Sequence, residues 1–162
     1  IPPPAPTATP APPQVSLQPL SIIVPAMQLN SPIREVFLRD GIWEVADYAV
    51  GYHNGTAYPG HGNTVLAGHA GLRGGVFAQL GALKPGDDVY LQTATTTFHY
   101  RVRESRNVWP NQVEVMYPTA EPIITMITCT SWDTQRLVVT AILVDQAPLS
   151  SSLGGVDSTE AA

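Results

Sequence analysis

Cys129 is the only thiol in the chain, and a single cysteine cannot close an internal disulfide. It follows the strand-like run PIITMIT and precedes the polar segment TSWDTQ. It therefore stands where a strand runs out into a loop, a position that exposes a side chain at the rim of a sheet. Arg136 opens the next β-rich run, RLVVTAILV, and only residues 130–135 separate it from Cys129. If those two runs pair as an antiparallel hairpin, Cys129 and Arg136 face each other across its mouth. A guanidinium there favours a thiolate, or an oxyanion formed beside it. His69 closes a third run, NTVLAGH, and the glycine-rich AGLRGG follows it. A thiol, an imidazole and a guanidinium at strand ends are what thiol acyl transfer requires. The thiolate attacks a carbonyl, the imidazolium protonates the leaving amine, and the fixed cation stabilises the tetrahedral oxyanion.

Each of the three also has a plain structural reading. A strand cysteine is commonly core, a lone histidine a solvated or capping residue, and an arginine at a strand start surface charge. Their joint placement is what points to catalysis. Next to Cys129, Thr128 is either a strand residue on the opposite face or a hydroxyl that orients substrate or oxyanion. Trp132, inside the 130–135 loop, is a candidate wall for a substrate groove. Asn63, just upstream of the strand that ends at His69, is a candidate substrate-binding residue. His61 reads as a loop residue, His53 and His99 more strongly so, and Trp43 and Trp109 as packing. Asp87 and Asp88 sit in a turn, and no acidic cluster has the spacing of a calcium loop, so neither metal nor cofactor is expected.

To position these groups the chain offers short β-rich runs divided by turn signals. SIIVPAM, REVFL, NTVLAGH, DDVYLQT, TFHYRVRES, PIITMITC and RLVVTAILV are dominated by Thr, Val, Ile and Tyr. RDG, PGHGN, GLRGG and KPGD break them. Helix is expected only briefly, around GVFAQLGAL and NQVEVM. Seven or eight strands with so little helix predict an all-β fold, a barrel or a sandwich. A chain of 162 residues, 44% of them hydrophobic, can bury one proper core but not comfortably two.

The folded domain is expected over residues 19–146, between a Pro-rich, disordered linker (1–18) and a Ser/Gly-rich, disordered tail (147–162). The segment IPPPAPTATPAPPQ favours polyproline II, which at ~3.1 Å per residue makes a spacer of roughly 40 Å. A net charge of -5 with only eight Lys and Arg argues against a nucleic-acid partner, which needs a basic face. The 13% of charged residues is low for an intracellular protein. No apolar run near the start reaches the ~20 residues of a membrane helix, and no signal peptide is visible. The first residue is Ile1 and not Met, as in an ectodomain excised from a longer chain, with any anchor lying outside it.

TVLAGH at 64–69, ITC at 127–129 and RLVVTA at 136–141 closely resemble the signature segments of the sortase family. DGIWEVADYAVGYHNGTAYPGHGNTVLAGHAG resembles the stretch leading to the sortase histidine, and LKPGDDVYLQT the stretch after it. The resemblance runs from about Leu20 to Val144. It implies a closed eight-stranded β-barrel with one or two short helices and a Cys-His-Arg site at Cys129, His69 and Arg136. It also implies an extracellular enzyme, tethered to the outer face of a bacterial cell membrane by an N-terminal segment absent from this chain. Its partners would be surface proteins bearing an LPXTG-type C-terminal sorting signal. The threonine carbonyl would be held as a Cys thioester and passed to an amine of a peptidoglycan precursor or a pilin lysine. The short 130–135 loop brings the chain nearer the housekeeping and class D or E forms than the pilin polymerases.

Two other readings stay open. An L,D-transpeptidase is also β-rich and uses Cys, His and Arg, but that family resembles SHGC-x-R, with Gly before the cysteine. Here Thr128 precedes Cys129 and the arginine comes seven residues after it. A catalytically silent binding module on a sortase-like barrel would keep the fold and occlude the thiol. The rate at which a thiol reagent labels Cys129 in the folded protein separates that module from an enzyme.

Overall fold

The computed structural model describes residues 17–71, 74–130 and 135–148, positions 129 and 130 by their backbone alone. Residues 1–16 of the expected linker, Trp132, and the tail from 149 onward lie outside the described residues. The strands are β1 Ser21–Val24, β2 Leu29–Val36, β3 Leu38–Arg39, β4 Ile42–Trp43, β5 Val50–His53, β6 Asn63–Ala67, β7 Asp88–Gln92, β8 Thr96–Val108, β9 Ile123–Thr130 and β10 Gln135–Pro148. Eight of them close a barrel in the order β1-β2-β5-β6-β9-β10-β8-β7, while β3 and β4 pair as a separate hairpin. The expected all-β closed barrel is therefore the fold. β2 with β5 and β6 with β9 are parallel, and parallel neighbours need long crossovers. The β3–β4 hairpin lies within the first crossover, and β7 and β8 within the second.

Strand alternation builds the core. Ile22 and Val24 of β1, Leu91 of β7, Tyr100 of β8, Ile124 and Met126 of β9, and Val139 of β10 are fully buried in one cluster, joined by Phe77 and Leu80 from the loop after β6. Tyr100 keeps its polar end satisfied, its hydroxyl accepting from the Gly60 N–H at 2.9 Å. Strand β9 is apolar on both faces because each has a covering. Ile124 and Met126 face the interior, while Ile127 and, across from it, Val138 line a groove on the outside. That is why IITMIT reads as a continuous hydrophobic run and not as an alternating one.

Several local expectations need correction. SIIVPAM does not run through as a strand: Pro25, with no N–H for the ladder, ends β1, and Pro25–Met27 forms a 3₁₀ turn. GVFAQLGAL and NQVEVM yield only 3₁₀ turns at Leu80–Ala82 and Val113–Met116. Neither segment is long enough to repay helix nucleation. His53 and His99 are strand residues, the last of β5 and an internal position of β8. His99 Nε2 donates to Asp88 Oδ1 (2.7 Å), and the ring stacks on Tyr90.

Candidate active site

Strands β6 and β9 run side by side, with Asn63 opposite Ile123 and Ala67 opposite Ile127. The ladder continues past β6, the Gly68 N–H donating to the Ile127 carbonyl at 3.1 Å. Carried two residues past the Ala67–Ile127 pair, the same parallel register brings His69 level with Cys129. On the other side of β9, Arg136 is registered directly opposite Cys129 in the antiparallel β9–β10 pair. The backbone thus flanks position 129 with the histidine on one neighbouring strand and the arginine on the other. The Arg136–Cys129 pairing is the hairpin geometry anticipated from the sequence. The parallel β6–β9 pairing has no local sequence signal.

The end of β6 is locked from both sides. Thr128 is 5% exposed, and its hydroxyl donates to the Gly68 carbonyl at 2.8 Å. It is a strand residue on the interior face, and its work is to tie β9 to the residue before His69. A Cβ added at Gly68 would lie 2.7 Å from Val76 and 3.0 Å from the Phe77 ring, so the loop after His69 folds back tightly enough that any side chain there would displace it. The Phe77 N–H donates to the His69 carbonyl at 3.0 Å. The His69 side chain is 26% exposed, with Nε2 3.0 Å from Asp47 Oδ1. Arg136 is half-buried, one guanidinium N–H reaching the Gln135 carbonyl at 3.3 Å.

A cavity of about 410 Å³ opens on the outer face of the barrel, floored by Ala67, Ile127 and Val138, with Arg136 among its lining. Its walls come from the Gly41–Val45 segment and from residues 108–116. Trp43 and Trp109, expected as packing, are wall residues, and Trp109 is 56% exposed. His53 also lines it, 4% exposed, stacked on Trp43 with ring centroids 4.0 Å apart. Among the described residues its Nδ1 has no partner, and burial pushes its pKa down to about 4. A neutral, aromatic-stacked imidazole results.

Asn63 is not brought to this site. It begins β6 whereas His69 lies beyond its end, and six residues of extended chain span about 20 Å. It is 2% exposed and turned to the protein. Its amide donates to the Val115 and Tyr117 carbonyls at 3.0 Å each, and its oxygen accepts from Thr125 at 2.6 Å. It staples the wall segment 113–117 to the barrel. Asp47 and His53 escape a reading of the sequence: nothing in their local spacing marks them.

Comparison with known proteins bears on the fold and the family. The family model described as "Sortase domain" matches residues 22–144. The chain is 38% identical over 88 residues to sortase A of Bacillus anthracis, covering 52% of this chain and 42% of that protein. It is 30% identical over 138 residues to sortase A of Streptococcus agalactiae, covering 81% and 55%. The chain thus spans about half the length of the curated relatives it matches. Among solved structures, the SrtA sortase from Actinomyces oris superposes with a TM-score of 0.70 at 28% identity, covering 88% of this chain and 91% of that one. With the barrel, its strand order and the matched residues in agreement, the chain belongs to the sortase family, a family of cysteine transpeptidases.

Proposed function

We propose that this domain is a cysteine transpeptidase acting on an LPXTG-type sorting signal, with Cys129 as nucleophile, His69 as acid and base, and Arg136 as oxyanion partner. The observation that supports the reading is the register of the strands: Arg136 stands opposite position 129 in the β9–β10 pair and lines the outer groove, and β6, which leads to His69, runs parallel to β9 on the other side. The Cys129 thiolate attacks the threonine carbonyl carbon, and the negative charge gathers on its oxygen within reach of the guanidinium. The C–N bond breaks as His69 gives its proton to the departing nitrogen, leaving a thioester. An acceptor amine then attacks the thioester, His69 takes up its proton, and the thiolate leaves.

Ala67, Ile127, Val138 and the two tryptophans offer an extended peptide an apolar bed, which suits the hydrophobic first residues of such a signal. Thr128 and Asn63 serve it indirectly, as ties for the floor and the wall. The partners are surface proteins carrying the signal and, as acceptor, an amine of a peptidoglycan precursor or a pilin lysine. The enzyme works at the outer face of a bacterial cell membrane, tethered by an N-terminal segment, with the Pro-rich residues before the barrel as spacer. Among the described residues no helix is long and apolar enough to cross a membrane. Incubation with LPXTG-type peptides and a small amine, followed by mass spectrometry, tests the reading. The expected product is the peptide cut after threonine and carrying the amine. An uncut peptide together with a Cys129 that a thiol reagent fails to label in the folded protein would point instead to a binding module.

A further inference from the structure

His69 is not held by its own strand alone. Its Nε2 stands 3.0 Å from Oδ1 of Asp47, 22 positions earlier, in the segment leading into β5. The two side chains are 26% and 46% exposed, and an ion pair at such a surface adds little to stability. The backbone around the pair is nevertheless built at some cost. Tyr48, next to Asp47, has φ 58, in the left-handed region that a residue with a bulky side chain adopts only under constraint. Ala49 and Val50, fully buried, fix the chain immediately beyond. In the loop after His69, Gly74 approaches so closely that a Cβ there would lie 2.7 Å from the Tyr48 Cα. Its own φ of 97 independently calls for glycine. The turn carrying Asp47 and the loop leaving His69 are therefore packed on each other. The carboxylate meets the ring because two backbones are pinned, and strained conformations persist where the surroundings over-determine them.

We propose that Asp47 is a positioning residue that holds His69 as the Nε2–H tautomer, leaving Nδ1 as the nitrogen that exchanges the proton during transfer. The proposal deepens the reading of His69 as acid and base and rests on it. An ionised carboxylate can only accept, so the hydrogen in the 3.0 Å contact belongs to Nε2. The neutral ring then carries its lone pair on Nδ1, and the imidazolium carries its second proton there. In acylation the C–N bond breaks, the Nδ1 proton passes to the departing nitrogen, and the ring returns to the neutral form with its bond to Asp47 unbroken. In the second step the acceptor amine bonds to the thioester carbon, its proton goes to Nδ1, and the thiolate departs. Without the carboxylate the ring can turn over or change tautomer, and part of the population presents the wrong nitrogen.

The test uses Asp47→Ala and Asp47→Glu in the folded domain. Nitrogen-15 shifts and long-range proton–nitrogen couplings, recorded where the His69 ring is neutral, report the tautomer without any turnover. The wild type is expected as Nε2–H, Asp47→Ala as a mixture, and Asp47→Glu, whose longer arm reaches from an exposed turn, as Nε2–H again. In the transfer assay Asp47→Ala loses about tenfold in kcat with KM within about twofold, and Asp47→Glu regains most of it. A wild-type proton on Nδ1, or an unchanged tautomer or kcat in Asp47→Ala, overturns the proposal. An inactive wild type that still shows the ordered Nε2–H form, lost in Asp47→Ala, would uphold the hold on the ring while sinking the transpeptidase reading.

Discussion

Arg136, the second residue of β10, stands directly opposite Cys129 and lines the groove, so its chemistry can be tested apart from its charge. An arginine offers a planar fork of N–H donors and is no base near neutral pH. Lysine keeps the charge and loses the fork. Removing one preorganised oxyanion donor typically costs about 10²–10³ in kcat, or ~3–4 kcal/mol. Arg136→Lys and Arg136→Ala should both fall in that range while melting within a few degrees of wild type. Near-wild-type turnover in either folded variant would take Arg136 out of the site and leave a Cys-His pair. The same scale shows what a sequence carries openly. Cys129, His69 and Arg136 each end or open a β-rich run, and a lone thiol beside an arginine stands out. Asp47 has no such signal: it meets His69 across 22 residues through a kink at Tyr48 that no periodicity announces.

Among the elements, the groove wall depends on a tie made from the far end of β6. Asn63 spends its amide on the Val115 and Tyr117 carbonyls and its oxygen on Thr125. Asn63→Ala would leave the buried Thr125 hydroxyl without its acceptor, at about 1–3 kcal/mol, and would free the 113–117 segment from the barrel. We expect a lower melting temperature together with a raised KM for peptide and a smaller change in kcat. A variant that melts early with KM unchanged would show that the wall does not need this staple. Elements with strong alternation, such as DVYLQ and TFHYRVRES, are legible as strands. VGYH in β5 is not, because it is only Val50–His53 and contains Gly51, a residue that weakens any strand reading. Gly51 is there for contact: a Cβ would sit 3.0 Å from the Val36 side chain across the parallel pair. The pairing of β6 with β9 is hidden for a related reason, since a crossover leaves no local trace in either strand.

For the whole molecule, His53 links folding to pH. Its pKa is about 4 in the folded barrel, lowered by burial from 6.5. Between those values the unfolded chain binds a proton that the folded chain refuses, so stability is full above about pH 6.5 and falls as pH drops toward 4. At ~1.4 kcal/mol for each tenfold loss of proton affinity, the destabilisation attributable to this group by pH 4.5 is about 2–3 kcal/mol. Urea unfolding of wild type and His53→Phe at pH 7.5 and pH 4.5 measures it, the variant losing less by that amount. Equal losses would mean that His53 is protonated without cost and is not sealed beneath Trp43. An all-β fold, barrel or sandwich, is readable from composition and turn spacing, because a strand-rich chain of this size must close or cover its edges; the closed barrel came from the family resemblance. The groove is not, because its walls come from segments that pack only once the barrel has formed.

If Cys129 carries the acyl group, the intact mass of the protein records it. The folded protein is mixed with an LPXTG-type peptide, with no amine added, and quenched in acid. The expected adduct has the mass of the peptide up to its threonine, maps to Cys129, is absent in Cys129→Ala, and is discharged when an amine is supplied. Cleavage by a folded Cys129→Ala protein, or an acyl adduct mapped to any other residue, would contradict that role for Cys129.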